Sequence, residues 1–90
     1  MSQSTTSIAF QILGYLADHP EAEDTLDGVS IWWLPQGCRI GLLEEAVEYL
    51  ARQDLLVSHT RGSETMYGLN REKVFDIRRI LREAAIEEKK

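Results

Sequence analysis

The chain has 90 residues, 43% hydrophobic and 28% charged, enough for one small domain near the size at which a single core becomes self-sufficient. Ten Lys+Arg against fifteen Asp+Glu give a net charge of −5 at pH 7, a sign that opposes nonspecific attraction to nucleic acid or to an anionic membrane. No apolar run nears the ~18 residues that span a bilayer, and no basic-then-apolar segment opens the chain. The single cysteine, Cys38, cannot form an internal disulfide, so the expected setting is cytoplasmic, with no membrane partner.

Charge is segregated along the chain. Residues 1–17 carry none, 18–54 carry nine acids and two bases (net −7), and 55–90 carry eight bases and six acids (net +2). Residues 1–6 read as a flexible start, 7–86 as the folded domain and 87–90 as a polar tail. A first helix is expected from about Ser7 to Ala17, with Ser and Thr at 4–7 as cap candidates and Ile8, Ile12, Leu13 and Leu16 at helical spacing. Pro20 stops it, because proline disfavours the α region for the residue before it. The acids that follow, Asp18 to Asp27, read as a solvated loop leading to a helix N-terminus, since their spacing is not that of a calcium loop.

A short second helix is expected over Leu26–Leu34. Leu26, Val29 and Trp33 share a face, although the run Val29-Ser30-Ile31-Trp32-Trp33-Leu34 is also β-prone. A third helix should run from about Arg39 to Asp54, its apolar face made by Leu43, Ala46, Val47 and Leu50. Leu55–Thr60 and Thr65–Leu69 then read as two strands joined by the turn Arg61-Gly62-Ser63-Glu64. Asn70 caps a last helix in which Val74, Ile77, Leu81 and Ala84 recur at 3–4 spacing, with Phe75, Ile80 and Ile86 beside them. The class is mainly α with a β-hairpin.

The segment Ala46-Val47-Glu48-Tyr49-Leu50-Ala51-Arg52-Gln53-Asp54-Leu55-Leu56-Val57, followed ten residues later by Tyr67-Gly68-Leu69, resembles the winged-helix family of helix-turn-helix domains. That family often has glycine just before the first wing strand, where this chain has Leu55. The resemblance implies three helices, a wing and a C-terminal helix. It makes the third helix the recognition helix and residues 61–64 the wing tip, and it brings DNA binding as the function to weigh.

The outer face of the third helix decides how that function is weighed. It carries Gly41, Glu44, Glu45, Glu48 and Arg52, so three carboxylates stand against one guanidinium where phosphates would have to be neutralised. The expectation is therefore a non-enzymatic protein-interaction adaptor or complex subunit. Its interface would be Ile31, Trp32, Glu44, Glu45, Glu48 and Arg52, its partner unidentified. Trp32 is the tryptophan assigned to the partner: at 100° per residue Trp33 lies within about 20° of Leu26, while Trp32 lies about 120° away. A homodimer through the stripe Val74, Ile77, Leu81 and Ala84 is a further expectation. The alternative is a DNA-binding transcriptional regulator that contacts DNA through the wing and the basic last helix, with Arg39 and Arg52 of the third helix, His59 and Arg61 of the wing, and Arg78 and Arg79 of the last helix as possible contacts. His19, His59 and Cys38 have no zinc spacing, and no nucleophile–base pattern or phosphate loop is present, so neither a metal, nor a cofactor, nor an active site is expected. Cys38 beside Arg39 is the one residue that suggests redox chemistry.

Overall fold

The computed structural model describes residues 4–34 and 39–88. Helix α1 (Thr5–Asp18) starts two residues earlier than expected, because the Ser4 hydroxyl accepts from the Ser7 N–H at 3.1 Å and caps the first turn. Thr5 and Thr6 thus belong to the helix rather than to a flexible terminus. The chain then forms a two-residue strand, β1 (Glu23–Asp24), and a short helix, α2 (Leu26–Gly28), capped by Thr25, whose hydroxyl accepts from the Gly28 N–H at 3.3 Å.

The β-prone run is helical but not α-helical: Val29–Trp33 forms a wider π-helical turn, and the backbone becomes extended at Leu34. Pro35 and Cys38 lie outside the described residues. Helix α3 (Ile40–Arg52) follows, then strands β2 (Leu56–Arg61) and β3 (Glu64–Leu69), a 3₁₀ turn (Arg71–Lys73) and helix α4 (Val74–Glu88). Glu87 and Glu88, read as tail, continue α4. The protein is mostly helical with a small three-stranded antiparallel sheet.

Sheet order is β1-β3-β2, with Glu23 opposite Gly68 on one edge of β3 and Val57 opposite Gly68 on the other. The loop expected over 18–25 therefore contributes a strand. Gly68 permits this, since a Cβ there would come within 3.1 Å of Glu23 Cγ and 3.3 Å of the Ala22 carbonyl. At the other end of the hairpin Gly62 adopts φ +65 in a two-residue loop, a conformation costly to any side chain.

The core gathers α1 (Ile8, Ile12, Leu13, Leu16), the π-helical turn (Val29, Trp33), α3 (Leu43, Ala46, Val47, Leu50), the sheet (Leu56, Leu69) and α4 (Ile77). α1 lies between α3 and α4 and packs on both. Trp33 stacks on Tyr15 at 5.2 Å between ring centroids, and Tyr15 in turn contacts the His19 ring. Leu50 is buried as expected of the apolar face of α3, and Tyr67 is half-buried and packs at the margin of the core.

Helix α3 ends in an αL turn. Asp54 takes φ 60, the Leu55 N–H reaches the Leu50 carbonyl at 3.0 Å and the Asp54 N–H reaches the Ala51 carbonyl at 3.1 Å. Asp54, not a glycine, supplies the left-handed residue. Asn70 fastens this turn to the last helix: its side-chain amide donates to the Asp54 carbonyl at 2.7 Å, its backbone N–H donates to the Leu55 carbonyl at 3.1 Å, and its side-chain oxygen accepts from the Glu72 N–H at 3.1 Å.

Candidate functional site

Helix α3 presents three faces, and they separate the residues grouped as one interface in sequence. Leu43, Ala46 and Leu50 face the core. Ile40, Glu44, Val47, Glu48 and Ala51 lie along a ~100° arc and line a groove whose opposite wall is Leu26, Asp27, Glu64, Thr65 and Tyr67. The groove comprises two adjoining hollows that share Leu26, Glu44 and Tyr67. Its floor is apolar, and its rim carries Asp27, Glu44, Glu48 and Glu64. Asp27, Glu44 and Glu64 make no ion pair among the described residues.

Glu45 points elsewhere. Its carboxylate accepts from the Thr5 hydroxyl at 2.8 Å, at the N-terminus of α1, where the positive end of the helix dipole favours a negative charge. Arg52 is exposed and pairs with Glu48 at 3.0 Å in an i,i+4 geometry, so the one guanidinium of this helix neutralises a carboxylate of its own turn. Of the six residues expected at the interface, Glu44 and Glu48 share the groove; Ile31 and Trp32 stand on the π-helical turn.

That turn divides its two indoles. Trp33 is 3% exposed, Trp32 is 71% exposed and Ile31 66% exposed. Two large apolar side chains in succession thus stand in water.

Helix α4 turns the expected dimer stripe toward α1. Ile77 is fully buried in the chain's own core, Val74 and Leu81 pack against that core, and Ala84 is half-buried. The stripe packs on α1 through Ile77, with Val74, Leu81 and Ala84 left partly exposed. The outer face of α4 carries an aromatic ring and three arginines, with Asp76 and Glu83 at its edge. Phe75 is 78% exposed, and Arg78, Arg79 and Arg82 are exposed within ~100° of it in helical projection. In sequence Phe75 reads as a neighbour of the buried stripe; it lies on the opposite side of the helix.

The basic candidates for DNA contact are dispersed. Arg39 precedes α3, Arg61 ends β2 at the hairpin tip and Arg78 faces outward from α4. The others face carboxylates: Arg52 meets Glu48, His59 lies 3.8 Å from Glu23, and Arg79 bonds Asp76 at 3.1 Å. A separate hollow is lined by Tyr15, Asp18, His19, Ala22, Leu69 and Arg71, among others, and mixes both signs of charge. Among the described residues no three His, Cys, Asp or Glu side chains converge as metal ligands, and no helix is long and apolar enough to cross a membrane.

The groove was only partly legible from the chain. Glu44 and Glu48 follow from helical spacing, but Asp27, Glu64 and Tyr67 join them only through β3. The signal that could have found that wall is Gly68, a strand glycine of the kind that marks close backbone approach. Comparison with protein-family models, with curated proteins and with solved structures finds no match to this chain.

Proposed function

We propose that this chain is a winged-helix module working as a protein-interaction adaptor or complex subunit rather than as an enzyme or a DNA reader. The order α1-β1-α2-α3-β2-β3-α4 supports the winged-helix reading, with α3 in the recognition position and the β2–β3 hairpin as the wing. The observation that carries the adaptor reading is the exposure of Trp32 and Ile31 on the turn that precedes α3. Exposed tryptophan is a costly surface residue and a frequent anchor of protein interfaces.

Charge argues the same way. A helix entering a major groove must bring cations to phosphates, and here the helix brings Glu44 and Glu48, with Arg52 already paired. The test is a titration with duplex DNA at ~0.15 M salt, where nonspecific affinity should be no tighter than about 10⁻⁴ M. Alongside it, a photo-crosslinking residue at position 32 should capture a discrete protein in cells that make the chain, while the same residue at position 60 should not. A submicromolar complex with a defined duplex at that salt overturns the adaptor reading.

A further inference from the structure

Two surfaces of this chain are complementary in sign, and each sets apolar side chains among its charges. The groove beside α3 offers an apolar floor at Leu26 and Tyr67 under the carboxylates of Asp27, Glu44, Glu48 and Glu64. The outer face of α4 offers one aromatic ring, Phe75, flanked by Arg78, Arg79 and Arg82; Asp76 pairs with Arg79 and exposed Glu83 stands at its edge, which leaves Arg78 and Arg82 as the cations that face a partner. We propose that the α4 face of one copy docks in the acidic groove of another, so that the chain assembles head to tail. The proposal rests on reading the α3 face as a protein-binding surface, and it names the partner.

The dimensions agree. Phe75 to Arg82 spans about 10 Å of helix at 1.5 Å per residue, and Ile40 to Ala51 provides about 16 Å of groove wall. Both surfaces are free in a single copy, because α4 packs on α1 while the groove opens between α3, the segment Thr25–Asp27 and β3. Phe75 would leave water for the floor, and Arg78 and Arg82, which make no ion pair among the described residues, would meet Asp27, Glu44 and Glu64, which also make none. A net charge of −5 opposes the approach of two copies, but its segregation, acids in residues 18–54 and a basic excess after 55, orients the encounter. Groove and helix are different patches, so the contact is heterologous and propagates into open chains or closes into rings. One helix in a groove belongs to the small, weak class of interfaces, with a Kd on the order of 10⁻⁴ M.

Sedimentation velocity of the full chain over a concentration series tests this. Association should appear as concentration rises at 50 mM salt and weaken at least several-fold at about 0.5 M, where screening is short-ranged. The double variants Glu44→Arg/Glu64→Arg and Arg78→Glu/Arg82→Glu should each sediment as monomers with unchanged melting, all four positions being exposed. Mixing the two should restore association, since each then supplies the sign the other lost. Phe75→Ala should weaken self-association at least tenfold. A wild type that stays monomeric at millimolar concentration overturns the proposal, as does association indifferent to both double variants. A monomeric wild type whose α4 arginines instead hold a DNA duplex assigns that face to nucleic acid and likewise overturns it. A monomer that still crosslinks a different protein through position 32 defeats self-docking and leaves the adaptor reading standing.

Discussion

Helices α3 and α4 each send an apolar stripe into one core, the first more deeply, and turn opposite chemistry outward. On α3 the buried set is Leu43, Ala46, Val47 and Leu50 and the outer residues are carboxylates; on α4 the buried residue is Ile77, aided by Val74, Ile80 and Leu81, and the outer residues are arginines around Phe75. Burial constrains only about a third to a half of a helix circumference. The rest is free to carry whatever a partner requires. Here that freedom has placed opposite signs on two helices that both face solvent, which a net charge conceals.

Stability should follow the inward residues and association the outward ones. The widest contrast lies within one turn: Trp33→Ala should cost about 3–5 kcal/mol, removing the ring stacked on Tyr15, while Trp32→Ala should stay within about 1 kcal/mol. Thermal melts of the two variants, with quencher access to the remaining indole, check this. Equal losses would place both rings in the core. On the helices themselves, Leu50→Ala and Ile77→Ala should each cost about 2–5 kcal/mol, against about 0.5 kcal/mol or less for Phe75→Ala. Denaturant midpoints at constant slope measure both. A large loss at Phe75 would show that α4 buries the wrong face.

The joint between the two helices gives smaller effects. Asn70→Ala removes a cap and the bond to the Asp54 carbonyl and should cost about 1–2 kcal/mol in chemical denaturation. Asp54→Gly should act in the other direction. A non-glycine residue at φ 60 costs about 1–2 kcal/mol, and the greater freedom of glycine in the unfolded chain returns part of it, leaving a gain of about 0.5–1 kcal/mol. A fall in melting temperature would mean that the Asp54 side chain supports the turn.

The elements with strong periodicity were legible in the sequence. Leu43, Ala46, Val47 and Leu50 marked α3, and the hairpin was framed by its Gly62 turn. What escaped depends on contacts distant in the chain. Two acidic residues, Glu23 and Asp24, have no strand propensity, and they pair only because β3 presents an open edge at Gly68. The π-helical turn was likewise hidden, because Val29–Trp33 satisfies both helix and strand patterns and only packing selects between them. The stripe on α4 is legible from its 3–4 spacing, but only the packing on α1 shows that Ile77 is its buried centre. At the candidate site, spacing along one helix revealed Glu44 and Glu48, whereas their opposite wall is built by tertiary contact. The sides taken by Phe75 and Glu45 were set by docking on α1.

The fastening of Asn70 to Asp54 and Leu55 bears on how the chain folds. It closes the base of the hairpin across a separation of 16 residues, so α3, the hairpin and the start of α4 form a unit of short-range contacts. Closures of this size take well under a microsecond and hairpins about 1–10 μs, whereas α1 and β1 must find α4 and β3 across most of the chain. The transition state for folding should therefore be polarised toward the C-terminal half. Weakening Leu56 or Leu69 should slow refolding, and weakening the seat of Glu23 on Gly68 should chiefly hasten unfolding, which makes β1 the first element to let go.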